Sequence, residues 1–364
     1  MKPSLNTSND TTEHQFEALL KALSLSYLID YFIQSGIKVT QGYCYSVVEL
    51  QELLKLQKKF FPFLNYILNV FKEMGVAKIT FEKVEFLINA QPLSSATLVN
   101  QITLRYPEKK AFITKLSHCI NEYDKALTGK IPSIAALYPG GDIHFLDPIV
   151  SEMEQLSNLH WFERFLTKLL SLRSKDGFIN MMEVGGGMGR LTWPIIKNLT
   201  SKNIAYLFTD ISRFFILKAR ETGTKEQIDF IKFAQFDITK TPEEQSFSPT
   251  QMDFILAFNV IHATPNLDIT LSNLYNLLKP GGTLIIIEYT ELPTWAHMLW
   301  GLAEGWWYFA DHYRQITPLI NKRNWKEALT TSGYKKIRFI PKHEKYTCPL
   351  PLTAILAQKP PIET

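Results

Sequence analysis

His262 and Glu288 are the two side chains of this sequence best suited to moving a proton. His262 lies in NVIHATP, Asn259 to Pro265, and Glu288 in IEYT, Ile287 to Thr290, each at the end of an apolar run. A carboxylate on one imidazole nitrogen fixes the tautomer whose other nitrogen is the base, and it stabilises the imidazolium that forms. A second set of residues is suited to holding a nucleoside. FINMMEVGGGMGR, Phe178 to Arg190, ends an apolar run in Glu183 and then places Gly185, Gly187 and Gly189 at every second position before the amphipathic stretch Leu191 to Leu199. Glycines there let the backbone take positive φ and approach a ligand closely, and the helix behind them offers N–H groups at its positive end. Asp210 ends the next apolar run, where a carboxylate meets both hydroxyls of a ribose. Asp237-Ile238 ends the third, where an acid can accept from an adenine amino group.

These residues share one site only if the elements beneath them end on one edge. The runs Ala205 to Phe208, Ile228 to Phe236, Asp253 to Val260 and Leu284 to Ile287 follow the one before Glu183 and alternate with helical stretches. That alternation predicts a doubly wound parallel sheet covered on both faces, with ligands outside the carboxyl ends of the strands. The fourth and fifth strands are then neighbours, so Asn259, His262 and Glu288 face one crevice. Lys335 to Pro341 and Leu352 to Gln358, with only a loop between them, predict an antiparallel hairpin on the sheet edge. No lysine of the G-K-[ST] kind follows the glycines, which disfavours a nucleoside triphosphatase.

Ahead of this half the pattern is helical. Phe16, Leu19, Leu20, Leu23, Tyr27 and Tyr31 predict a helix ending near Gly36; Ser46-Val-Val-Glu49 is a capping box opening Val47 to Leu56; Pro62 opens a helix to Gly75. Short strands at Ala77 to Thr80 and Lys83 to Leu87 follow, two helical patterns lie between Ser95 and Lys125, and YPGGD, Tyr138 to Asp142, breaks the chain. Leu146 to Leu172 reads as one helix with Trp161, Phe162 and Phe165 on its apolar face. The expected division is a polar, disordered tail over 1–12, a mainly helical, winged-helix-like lid or dimerisation unit over 13–145, and the α/β unit over 146–364. DNA binding by the first unit is disfavoured by its apolar helix pair, Phe60 to Phe71.

A chain of 364 residues with 46% hydrophobic residues can bury a large core, and a formal charge of +4 is no footprint for nucleic acid. Cys44, Cys119 and Cys348, odd in number and far apart, read as packed, reduced thiols rather than disulfides or a metal site. Without a signal-peptide core or a membrane-length apolar run, the expected location is cytoplasmic.

In their order, the glycine loop, Asp210, Asp237 and LLKPGG before an apolar strand resemble the S-adenosylmethionine-dependent methyltransferases with the Rossmann-like fold. NVIHATPNLDITLSNLYNLLKPGGTLIIIE, TDIS at Thr209 to Ser212, Gly305-Trp306-Trp307 with Asp311 and Arg314, and Trp325 to Leu329 before Ser332-Gly333-Tyr334 resemble more narrowly the C-methyltransferase domains of polyketide synthases. The glycine loop departs from that family, which usually carries alanine and threonine inside it. The resemblance implies S-adenosylmethionine as cofactor, held by Glu183, Gly185, Gly187, Gly189, Asp210, Asp237, Ile238 and Asn259. It implies His262 and Glu288 as the catalytic dyad, no metal, and methylation of the α-carbon of a β-ketoacyl thioester. Trp306, Trp307, Tyr308, Asp311 and Arg314 are the expected acceptor contacts; Trp295, Trp300 and Phe309 cluster with them, either as packing or as the wall of an acyl tunnel. The expected partner is an acyl carrier protein in trans, since no carrier segment is present, or a small-molecule thioester; neither nucleic acid nor membrane is expected, and a homodimer is open. Two other functions remain at this stage: a small-molecule O-methyltransferase, and a non-catalytic binding protein on the same fold.

Overall fold

The computed structural model describes residues 7–81, 83–88, 93–199, 203–341 and 350–362. They form two compact units, residues 1–153 with 292–307, and 154–291 with 308–364. The division thus falls beyond residue 145, and a segment following the Glu288 strand joins the first unit. Composition accounts for that transfer. Thr294–Trp300 is a helix whose Trp295, Ala296, His297, Met298 and Leu299 are all buried, and a helix apolar on every side must lie inside a core. In the first unit Trp295 meets Phe112 edge-on at 5.0 Å and Met298 O accepts from Tyr123 Oη at 2.6 Å.

The first unit begins with the helix Thr7–Gln34, so 7–12 are helical rather than a disordered tail, while 1–6 lie outside the described residues. The capping box is present: Glu49 N donates to Ser46 Oγ at 3.1 Å and Ser46 N to Glu49 Oε2 at 2.6 Å, opening Val47–Leu53. Helix Phe61–Glu73 follows with proline in its first turn, and buries Phe63, Leu64, Ile67, Leu68 and Phe71. Three short strands, β1 (Cys44–Ser46), β2 (Ala77–Thr80) and β3 (Lys83–Phe86), pair antiparallel in the order β1-β3-β2. The sequence showed the hairpin but not β1, which is only three residues long.

Among its described residues the second unit holds seven strands: β4 (Ile179–Val184), β5 (Ile204–Asp210), β6 (Ile231–Gln235), β7 (Met252–Phe258), β8 (Leu278–Tyr289), β9 (Lys335–Ile340) and β10 (Leu352–Gln358). Their order is β6-β5-β4-β7-β8-β10-β9, parallel from β6 to β8, with β10 antiparallel to both β8 and β9. This is the expected α/β architecture, a Rossmann-like sheet with an antiparallel hairpin at its edge. Leu284, Ile285, Ile286 and Ile287 are all fully buried, as a strand covered on both faces requires. The order reverses between β4 and β7, which opens a crevice beyond their carboxyl ends.

Two local expectations change. Leu146 to Leu172 is two helices, Asp147–Leu156 and Leu159–Arg173, separated at Asn158, whose φ of 54° is left-handed. Asparagine tolerates that conformation, and apolar periodicity continuing across it hid the break. Trp161 stacks on Phe165 at 5.4 Å but is exposed, so it lies off the buried stripe of Phe162, Leu166 and Leu170. Cys119 is buried and donates to Ala136 O, whereas Cys44 is exposed rather than packed; Cys348 lies outside the described residues.

Candidate active site

The glycine turn closes β4 against its neighbours. Gly185, Gly187 and Gly189 all have positive φ, at 63°, 53° and 73°. A Cβ on Gly185 would meet Val260 Cγ2 at 2.2 Å, so packing alone excludes a side chain there. At Gly187 the same atom would meet nothing within 4 Å. Gly185 is therefore needed for fit inside the protein, and Gly187 for a backbone that faces open space. Its N–H donates to Asp210 Oδ2 at 2.9 Å, and Ser212 N donates to Oδ1 at 2.7 Å. The loop and the carboxylate at the end of β5 are thus one assembly. Burial pushes Asp210 above the usual aspartate range, against the downward pull of those two N–H groups.

Glu183 lies beneath this assembly. It is 1% exposed, and its Oε2 accepts from Thr192 Oγ1 at 2.6 Å and Tyr206 Oη at 2.7 Å. Its carboxyl faces the interior, where it supports the loop rather than an open ligand surface. Burial pushes it up to about 7, the hydrogen bonds from Thr192 and Tyr206 draw it down, and the charge of Asp210 adds a smaller upward push. The folded state therefore holds this proton more tightly than the unfolded chain. The associated stability is fully present below the unfolded value of about 4.3 and is lost as pH rises through about 7. Glu183→Gln removes the titration, so between pH 5 and pH 8 the variant should gain on the wild type by on the order of 3 kcal/mol. Thermal unfolding of both proteins across that range checks this; an unchanged gap rules out Glu183 as a titrating group.

At the end of β6, Asp237 Oδ1 accepts from Thr239 N at 2.9 Å and Thr239 Oγ1 at 2.6 Å, and Ile238 is buried. At the end of β7, Asn259 has a left-handed φ of 50°, and its buried Oδ1 has no hydrogen-bond partner. A buried acceptor left without a partner at the point where the strand order reverses is the state of a group arranged for a ligand.

His262 sits in the short turn Ile261–Ala263, and its Nδ1 lies 2.6 Å from Glu288 Oε2. The other oxygen, Oε1, accepts from Val260 N at 3.0 Å, Ile261 N at 2.9 Å and His262 N at 3.4 Å. Glu288 thus orients the ring and the turn that carries it, at 1% exposure, with His262 at 9%. Nδ1 is thereby committed to Glu288.

The expected acceptor contacts separate into different places. Arg314 Nη1 donates to His262 O at 2.8 Å and Nη2 to Thr264 O at 2.7 Å, while the guanidinium pairs with Asp311. Asp311 Oδ2 also accepts from Leu267 N at 3.0 Å. With side chains 0% and 1% exposed, Arg314 and Asp311 brace the histidine turn from within and do not face an acceptor. Trp306 and Trp307 belong to the aromatic core of the first unit, where Trp307 stacks on Phe63 at 5.2 Å and donates to Gly301 O. Packing is the observed role of this pair. Tyr308 is 42% exposed. The sequence placed Arg314 and Asp311 in the correct neighbourhood, but their spacing from NVIHATP carried no sign of direction.

Residues 182–284 match the family described as Methyltransferase domain. The chain is 37% identical over 156 residues to the hybrid PKS-NRPS synthetase iccA of Talaromyces variabilis, covering 43% of this chain and 4% of that protein. It is 34% identical over 227 residues to the polyketide synthase-nonribosomal peptide synthetase pyiS of Pyricularia grisea, covering 60% of this chain and 6% of that protein. It therefore spans less than a tenth of the length of these relatives. Among solved structures, the CurJ carbon methyltransferase superposes with a TM-score of 0.84 at 26% identity, covering 96% of this chain and 93% of that one. The DszA carbon methyltransferase, at 24% identity and a TM-score of 0.83, shares the fold over 100% of this chain and 95% of that one. Residues 182–284 thus form a methyltransferase domain on the Rossmann-like fold, which takes S-adenosylmethionine as its methyl donor. Within that class the chain is similar to the carbon-methyltransferase domains of polyketide synthases, as its motifs imply.

The residues present fit such a donor: an open glycine backbone at Gly187, an acid at the end of β5 and an unsatisfied acceptor at Asn259. Asp210→Ala should weaken donor binding by about 1.5–3 kcal/mol, the range for hydrogen bonds to a charged group. In the wild type, affinity should fall on acidification at a higher pH than an ordinary aspartate dictates, because burial raises Asp210. Calorimetry with S-adenosylhomocysteine checks both, and unchanged affinity in the folded variant would remove Asp210 from the site.

Proposed function

We propose that this protein transfers a methyl group to the α-carbon of a β-ketoacyl thioester. The observation that carries the reading is the 2.6 Å contact between His262 Nδ1 and Glu288 Oε2, at the ends of adjacent parallel strands. When bound, S-adenosylmethionine supplies an electrophilic methyl group. Gly187, Asp210, Asp237, Ile238 and Asn259 are the residues that would hold it, with Gly185 and Gly189 shaping the loop and Glu183 supporting it. His262 Nε2 takes the α-proton of the acceptor, and Glu288 stabilises the imidazolium. Three backbone N–H groups donate to Glu288 Oε1 and hold that carboxylate in place while the ring changes state. Tyr308 is the proposed acceptor contact.

A β-ketoacyl α-proton suits this base because the enolate left behind spreads its charge over two carbonyl oxygens; a saturated chain has no such relief. A thioester of a carrier protein or of a small thiol supplies binding remote from the reacting carbon, which helps to position it. The similarity to polyketide synthases supports an acyl carrier protein as that partner, and the free thiols Cys44 and Cys119 suit a cytoplasmic setting. Incubation with the donor and a panel of β-keto, β-hydroxy, saturated and phenolic acceptors, read by mass spectrometry, tests the proposal. The expected product carries the methyl on carbon two of the β-ketoacyl chain alone. Equal methylation of saturated chains, or methyl on oxygen, overturns it in favour of O-methylation, and no transfer at all favours a binding protein.

A further inference from the structure

The corner that ends β6 is held by a side chain from further along the chain. Gln245, half-buried at the end of the short turn Glu243–Gln245, directs its amide back at the loop 237–241. Its Oε1 accepts from Asp237 N at 2.7 Å, and its Nε2 approaches Asp237 O at 2.9 Å, Thr241 O at 3.2 Å and Lys240 O at 3.3 Å. The amide thus pairs with both backbone polar groups of Asp237 as a neighbouring strand would, at a point where β6 is the edge of the sheet and has no such neighbour. Asp237 Oδ1 is in turn committed to Thr239, and Oδ2 lies 3.6 Å from Lys240 Nζ, a contact held by an exposed lysine. The adjoining residue is tied from the other side, since Asn273 Nδ2 donates to Ile238 O at 3.0 Å.

The geometry points to Gln245 as a positioning residue that sets the enzyme's selectivity for the nucleobase of its donor, by fixing the direction of the Asp237 carboxylate. This rests on the reading that Asp237 accepts from the adenine amino group. A glutamine is required because the corner presents one N–H and three carbonyls. Glutamate would set acceptor against acceptor at three of the four contacts, and methionine would fill the same volume with none of them made.

The test is binding rather than turnover. Calorimetry compares S-adenosylhomocysteine with its analogue lacking the 6-amino group, in the wild type, Gln245→Met, Gln245→Glu and Asp237→Asn. The wild type should prefer the amino compound by about tenfold or more, the worth of one hydrogen bond to a charged group. In Gln245→Met and Gln245→Glu that preference should collapse to within about threefold, mainly through weaker binding of the amino compound. General loosening of the fold weakens both ligands alike and leaves the ratio intact, so an intact ratio in both variants overturns the proposal. Should one variant fail to fold, the other decides. Asp237→Asn separates the two readings. Loss of preference there, with retention in both Gln245 variants, overturns the role of Gln245 alone; no preference in the wild type overturns the reading of Asp237 and the inference with it.

Discussion

Replacing His262 by alanine should lower turnover by roughly 10²–10⁴, the span of a lost general base, while donor affinity stays nearly unchanged. The separation is expected because the His262 side chain is committed to Glu288, whereas the groups assigned to the donor are the glycine loop, Asp210, Asp237, Ile238 and Asn259. Glu288→Gln is the informative partner. Oε1 receives three backbone N–H groups, so an amide must place its oxygen there and its NH₂ against His262 Nδ1. That forces Nδ1 to accept and moves the ring proton to Nε2, the nitrogen that should be the base. Turnover should fall, though by less than in the histidine variant, because the minor tautomer still reacts. Stopped assays at saturating donor give both numbers. Full turnover by His262→Ala would remove the base assignment.

The difference between what the sequence revealed and what it concealed is one of direction. β4, β5, β7 and β8 were legible because buried parallel strands are continuous apolar runs, and because each meets the crevice at a residue that stands out chemically: Glu183, Asp210, Asn259, Glu288. The contact between His262 and Glu288 followed from strand adjacency alone. Spacing does not say which way a side chain points. Asp311 and Arg314 were expected to contact the acceptor on the resemblance of their segment to a known family, yet a network of backbone carbonyls and N–H groups satisfies them inside the protein. Glu183 likewise stands at the strand end the pattern gives it, but is turned towards Thr192 and Tyr206. Gln245 had no signal at all, since its partners are main-chain atoms that any sequence would supply. Trp306 and Trp307 adjoin residues of the second unit in sequence but pack in the first, an assignment that depends on tertiary partners such as Phe63.

Arg314→Met should cost about 3–5 kcal/mol of stability, the usual penalty for breaking a buried ion pair from one side. The cost has two sources. Asp311 is left with its side chain 1% exposed and its cation gone, and the carbonyls of His262 and Thr264 lose their donors. Arg314→Lys keeps the charge but cannot span two carbonyls and a carboxylate with one ammonium, so it should recover only part of the loss. The double variant Arg314→Met/Asp311→Leu should be less destabilised than the sum of its single changes, because no lone charge is left buried. Urea unfolding measures these differences. The turn that carries His262 hangs from the same guanidinium, so turnover of the folded Arg314→Lys protein should drop while its affinity for S-adenosylhomocysteine holds. Additive single and double losses, or equal losses of affinity and turnover, would show that Arg314 supports the unit generally and does not position the base.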